Sequence, residues 1–325
     1  MIIYGFLISV TILTIIFVSL ASLIFYNYQS SYIEFLIIYK IIKFTILQAS
    51  LSVFLSCFIG YFVASSLVRL RSFNKYKYIF LSFCSLSFVM PTVVAGIAII
   101  RFWGNNGIFG IVENLLNFPY NYLNFYGLFG ILVAHIFFNA PLFTRIIYNI
   151  LINIPTNYKK NSIQLNISGL NYFLLIELPF LRKVLPSICG LVFLLCFTSF
   201  SLILMFGGGP ASSTLEVAIY YAIRSDFDLS SASILVLIQI IICFFILSLI
   251  SLTGLNNKSV NLNNTSQSNQ FFLKQNSSLI DKIIITLFSI YIFGPIILII
   301  IRGLNYQNLL NLCNPFVIKV FITSI

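Results

Sequence analysis

Few side chains in this 325-residue sequence could do chemistry, and their spacing argues against catalysis. The single histidine, His135, lies in an apolar run four residues before Asn139, with Pro141 just beyond. Polar groups one helical turn apart in such a run face a bundle interior or a pathway. The pair reads either as an interhelical hydrogen bond beside a proline kink or as part of that pathway. With no second histidine, no metal site is expected. Gln239 stands in another apolar run with the same two readings. Gly207-Gly208-Gly209-Pro210 cannot continue a helix and forces an open turn. That turn is either an ordinary external connection or backbone lining a water-filled cavity. Glu216 follows in an amphipathic helix start, Thr214–Tyr220, with Thr214 available as its cap. Asp226 and Asp228 precede the next apolar run, for which Asp228 or Ser230 can cap. The six cysteines, five inside apolar runs, have neither metal nor disulfide spacing. Phosphate-binding loops ending in Lys-Ser/Thr, His-Glu-x-x-His and Gly-x-Ser-x-Gly are all missing from the sequence, so neither an enzyme nor a cofactor is expected.

The elements that hold these residues belong to a bilayer. The chain is 60% hydrophobic and 8% charged, with a mean hydropathy of +1.04, where soluble domains carry about a quarter charged residues. An all-α polytopic membrane protein follows. Apolar runs near the about 20 residues that span a bilayer occur at 2–25, 44–68, 78–103, 126–150, 184–206, 230–252 and 283–301. The first is too long and uniformly apolar for a cleaved leader. The net charge of +11 is scattered in short loops and does not describe a nucleic-acid surface. Lys and Arg gather in 69–77, around 145–183 and in the tail of the sixth run, while most acids fall in the alternate loops. The basic loops, and with them the N-terminus, are expected on the cytoplasmic side. The external loop 104–125 carries the pattern of a short interfacial helix. Segment 253–281, rich in Asn and Ser, reads as a flexible linker.

One polar interruption still looks folded, namely Asn153 to Pro186. Pro155 suits the first turn of a helix. Tyr158, Ser162 and Leu165 then share a face at i, i+4, i+7. Asn166 tolerates the left-handed conformation that ends a helix. Ser168 or Gly169 can start a second helix running toward Pro179. A cytoplasmic helix-turn-helix gives a soluble partner something to grip.

This stretch resembles the cytoplasmic "EAA" loop of ABC-importer permeases. Asn161-Ser162-Ile163 stand where that family has Glu-Ala-Ala, Asn166 where it has Gly, and Ile176-Glu177-Leu178-Pro179 match its end. Phe197-Thr198-Ser199-Phe200, the glycine turn, Thr214–Tyr220, Asp226-Phe227-Asp228 and Ala232–Gln239 resemble the iron(III)/thiamine subgroup. Leu132–Pro141 and Glu177–Arg182 are most similar to its thiamine permeases. The resemblance implies the type I ABC-importer permease fold, with about seven transmembrane helices and the start of an eighth. Its domains would be a first permease repeat at 1–252 with the coupling loop at 153–180, the linker 253–281, and the start of a second repeat at 282–325. On this resemblance the chain is expected to stop early in that second repeat.

The implied role is a subunit of an ATP-driven importer in the bacterial inner membrane. It would translocate thiamine or its phosphates from a periplasmic binding protein, with iron(III) as the alternative cargo. Implied partners are a dimeric ABC ATPase, that binding protein, and a second copy or C-terminal half of the permease, within the lipid bilayer and without nucleic acid. Tyr158, Ser162, Ile163, Leu165, Asn166, Ile176, Leu178 and Pro179 would dock the ATPase. His135, Asn139, Gly207, Gly208, Gly209, Pro210, Glu216 and Gln239 would line the path or its outer gate. A non-functional remnant and a gradient-driven carrier are the readings from other classes.

Overall fold

A computed structural model describes residues 35–70, 77–116, 124–209, 212–254 and 279–304, with isolated positions (10, 11, 14, 18, 315, 319, 322 and 323) in the terminal segments. The expected first run at 2–25, most of the linker and the segment after residue 304 therefore lie outside the described residues.

Lipid offers a main chain no hydrogen bonds, so apolar runs close their bonds internally as helices. Five helical segments are long and apolar enough to cross a bilayer, at Phe35–Arg69, Thr92–Leu115, Leu128–Ile152, Leu229–Leu252 and Leu279–Gly303. The pair Gly169–Leu181 and Leu185–Phe197, bent by 71°, makes a sixth if it is one span. In chain order the helices are α1 (Phe35–Arg69), α2 (Lys77–Cys84), α3 (Leu86–Val89), α4 (Thr92–Trp103), α5 (Ile108–Leu115) and α6 (Leu128–Ile152). They continue as α7 (Thr156–Gln164), α8 (Gly169–Tyr172), α9 (Leu178–Leu181), α10 (Leu185–Phe197), α11 (Ser201–Phe206), α12 (Leu215–Arg224), α13 (Leu229–Gly254) and α14 (Leu279–Gly303). A π-helical turn, Phe173–Glu177, joins α8 to α9. Among the described residues every regular element is helical.

Two expected runs are interrupted. The run 78–103 breaks at Ser85 and again at Met90-Pro91, where Met90 is extended with ψ 139°. Proline supplies no N–H and pushes the residue before it out of the helical region. The Ser85 hydroxyl donates to Leu81 O (3.0 Å) and accepts from Arg145 Nη1 (3.2 Å), so the first break is held by a distant side chain. The run 184–206 divides into α10 and α11 at Thr198–Phe200, where the Thr198 hydroxyl donates back to Leu194 O at 2.9 Å. A short helix does lie between 104 and 125, as α5, but it forms the end of the candidate span Thr92–Leu115 and not a separate interfacial element.

The described chain divides into two compact units, and α1 and α6 contribute to both. One unit comprises 1–57, 126–135 and 153–267. In it Ile250 of α13 packs onto Gly190 of α10, where a Cβ would collide with it. The other comprises 58–125, 136–152 and 268–325. There a Cβ at Gly60 would stand 2.6 Å from Phe143 Cβ, the close helix approach that small residues allow. Gly294 does the same for the Phe102 ring. Tyr291 packs at a tilt against Trp103 (ring centroids 5.5 Å) and edge-on to Phe137 (6.4 Å). Arg69, the last residue of α1, donates through Nε (2.9 Å) and Nη2 (2.7 Å) to Oδ1 of Asp281 in the first turn of α14. The Asp281 side chain is 3% exposed and that of Arg69 33%.

Arg69→Met would strand the buried Asp281 carboxylate and should cost about 3 kcal/mol. The loss should appear as a lower unfolding temperature in detergent, and Arg69→Met with Asp281→Leu should recover most of it.

Candidate functional site

The polar interruption folds as a helix, a tight turn and a second helix. Pro155 sits at the N-cap of α7, one position ahead of its expected place. At the other end Asn166 has φ 50°, the left-handed value. Its N–H donates to Ile163 O (3.1 Å) and that of Ile167 to Ser162 O (2.8 Å). This reciprocal pair is a Schellman motif, and it satisfies carbonyls that the helix end leaves open. Gly169, φ 59°, starts α8. Ser168 stands at its N-cap without a side-chain capping bond. The π turn then ends at Leu178-Pro179, where proline's missing N–H cannot continue α-helical bonding. Tyr158 reaches across to Phe180 edge-on at 5.4 Å, and the Lys183 ammonium lies 5.5 Å from the same ring.

The exposed apolar face of this turn is Tyr158 (52% exposed), Ile163 (68%), Leu165 (70%) and Leu170 (76%). Pro179 is exposed, Leu178 half-buried and Ile176 buried. Ser162 is a correction to the expected shared face. It is buried and its hydroxyl donates to Lys159 O at 2.7 Å, so it stabilises the turn and does not meet a partner. Lys159 is buried as well. Burial pushes its amine down to about 8, partly opposed by the Glu177 carboxylate.

A second constellation runs along α1. Thr45, Gln48, Ser52 and Ser56 recur at helical spacing and are all fully buried. The Thr45 hydroxyl donates to Ile41 O (2.7 Å) and accepts the Leu215 N–H (3.1 Å). Thr45 therefore caps α12, and Thr214, the expected cap, makes no side-chain capping bond. Gln48 Nε2 donates to Cys196 O at 3.0 Å, the carbonyl near the end of α10. Ser52 Oγ and His135 Nδ1 are hydrogen-bonded at 2.9 Å. Four buried polar atoms along this seam, Gln48 Oε1, Ser56 Oγ, His135 Nε2 and Thr214 Oγ1, have no hydrogen-bond partner among the described residues. Such atoms are uncommon in a folded interior.

The glycine turn leaves α11. Gly208 (φ 69°) and Gly209 (φ 135°) adopt conformations that need glycine, whereas Gly207 keeps a helical φ of −63°. Pro210 lies outside the described residues. Gly127 N–H donates to Phe206 O at 2.7 Å and ties the start of α6 to this turn. Beyond it Gln239 Nε2 donates to Glu216 Oε1 at 2.6 Å. The two line a cavity of about 430 Å³ between α12 and α13, with Cys243, Phe244 and four aliphatic side chains. Asp228 caps α13 as expected, accepting the Ser231 N–H at 3.1 Å.

No family model matches the chain. It is 36% identical over 273 residues to the thiamine transport system permease protein ThiP of Haemophilus influenzae, covering 83% of this chain and 49% of that protein. With ThiP of Escherichia coli it shares 31% identity over 300 residues, 92% of this chain and 54% of that protein. With ThiP of Brucella suis it shares 33% over 288 residues, 89% and 53% respectively. The chain is homologous to the thiamine transport permeases. It spans about half the length of the curated relatives it matches.

In this permease homologue the structure groups the named residues unevenly. The turn collects Tyr158, Ile163, Leu165 and Asn166 at one exposed corner and turns Ser162 and Ile176 inward. Glu216 and Gln239 meet directly. His135 and Asn139 are both buried, but they belong to different units. The stripe Thr45-Gln48-Ser52-Ser56 escaped notice in the sequence because hydroxyls are common in apolar runs. Its 3.6-residue period was the available signal.

The folded turn favours a neutral Lys159, so between about pH 8 and the ordinary lysine value of 10.5 the unfolded turn binds more protons. The turn should therefore gain stability as pH rises through that window. Hydrogen-exchange protection of amides 158–167, corrected for intrinsic rates, should increase across it, and Lys159→Met should abolish the trend.

Proposed function

We propose that this chain is the membrane-spanning permease component of an ATP-driven importer for thiamine or its phosphates. The observation that carries the reading is the homology to thiamine transport permeases, joined to a rigid apolar turn where such a permease needs a handle. The chain contributes geometry and coupling, and bond chemistry belongs to a separate ATPase dimer. That ATPase grips Tyr158, Ile163, Leu165 and the Asn166 turn from the cytoplasm, with Leu178 and Pro179 at the edge of the contact. Its closure on ATP pushes the turn, and the bent pair Gly169–Leu181 and Leu185–Phe197 carries the displacement into the membrane. A periplasmic binding protein delivers substrate at the opposite side, near the glycine turn and Glu216. His135 and Asn139 are interior polar groups of the same machine.

In this scheme residues 1–252 form one permease repeat, 253–281 a cytoplasmic linker and 282–325 the beginning of another. The N-terminus lies in the cytoplasm of a bacterium whose inner membrane holds the protein. An ATPase dimer offers two docking faces, one for this turn and one for a turn from a second copy or a further permease segment.

The deciding measurement is co-purification with the cognate ATPase, followed by ATP hydrolysis stimulated by thiamine-loaded binding protein. Association and stimulated hydrolysis are expected. Failure of both, with the chain folded, would overturn the reading in favour of an uncoupled remnant.

Within that assay, Leu165→Asp puts a charge on the docking face and should weaken ATPase association by about tenfold, roughly 1.4 kcal/mol. Asn166→Gly keeps the left-handed turn and should leave association intact or improve it.

A further inference from the structure

The cavity between α12 and α13 has an uneven chemistry. Its α13 wall belongs to a candidate span of mean hydropathy 3.0, in which Gln239 is the one carboxamide. Against this wall stands Glu216, half-buried, and its one hydrogen bond among the described residues comes from Gln239. No basic side chain among the described residues forms an ion pair with it. A carboxylate in such surroundings is costly unless it faces a path or a counter-charge. The cavity, about 430 Å³, is within the range of small-molecule sites. Its remaining walls are aliphatic, apart from the Cys243 thiol and the largely exposed ring of Phe244, which lines it.

We propose that this cavity is a subsite for a small organic cation. Glu216 supplies the counter-charge. Gln239 fixes the carboxylate in place through its donated hydrogen bond. Phe244 offers an aromatic face to the cationic ring, and the aliphatic walls take its uncharged part. A bare ferric ion is a poor fit, since one carboxylate and one carboxamide fall short of the hard-ligand set such an ion requires. The identification of the cation as thiamine rests on the import reading above. The charge preference rests on the cavity alone.

Cys243 reports on the site. The full chain, with its natural cysteines, is treated in membrane vesicles without ATPase. Cationic and anionic methanethiosulfonates are applied separately, and modification at Cys243 is read by peptide mass spectrometry. After normalisation to a free thiol in solution, the cationic reagent should react about tenfold faster, as a local negative field concentrates cations. Glu216→Gln should bring the ratio to about one, and Glu216→Asp should keep most of it. Millimolar thiamine should slow labelling of the natural chain and leave the Glu216→Gln variant unaffected. Absent labelling, charge-independent labelling of the natural chain, or a ratio unchanged in Glu216→Gln would each overturn the subsite. The natural chain answers the first two questions even if a variant fails to fold. No charge preference in the natural chain, beside intact hydrolysis stimulated by thiamine-loaded binding protein, would sink the subsite alone. A preserved preference without ATPase association would sink the import reading alone.

Discussion

A bilayer leaves the main chain nothing to bond to except itself, and the rest of this structure follows from where the chain stops obeying that rule. Each helix end or break exposes carbonyls or N–H groups that must find other partners. At Asn166 they are met by a Schellman pair within the turn. At Leu215 the donor is met by Thr45, 170 residues earlier in the chain. At Ser85 the break is pinned by Arg145. The interruptions are therefore built positions, and the residues with a functional reading cluster at them.

The same rule explains the buried polar seam of α1. Thr45, Gln48 and Ser52 each meet a different element, at Leu215, Cys196 and His135. Apolar side chains alone give helices in lipid little reason to choose one rotation over another, because lipid tails are as apolar as leucine. A stripe of short polar groups, each with its own partner, selects one arrangement. In the second unit Arg69 and Asp281 do the same at a helix end, and Gly60 and Gly294 let neighbouring side chains approach closely.

The exposed turn around Asn166 and the Glu216 cavity use opposite devices. The turn shows aliphatic and aromatic side chains at an exposed corner whose backbone is held by its left-handed asparagine, so a partner would meet a preformed shape. The cavity sets a hydrogen-bonded carboxyl and carboxamide pair against an apolar wall. One device presents a fixed apolar shape, and the other sets a polar pair into an otherwise apolar surface.

Composition and periodicity alone determined the membrane class, four continuous helical runs (44–68, 126–150, 230–252 and 283–301) and the helix-turn-helix around Asn166, because each depends on local residue type. Pro155, Asn166 and Gly169 mark their positions through backbone preferences that no distant contact overrides. Asp228 capped α13 for the same reason. Tertiary structure decided the rest. Ser162 turned inward because α7 buries the side that also carries Lys159. Thr214 lost its capping role to Thr45, since a hydroxyl from another helix reached the Leu215 N–H. The run 78–103 is interrupted at Ser85 as well as at Pro91, and at Ser85 the hydroxyl meets Arg145, 60 residues away in the chain. Glu216 and Gln239, 23 residues apart, became one site only when α12 folded back on α13. Local preferences act over a few residues and can be read in order along the chain. Partners chosen across the bundle depend on helix rotation and packing, which the order of residues does not display.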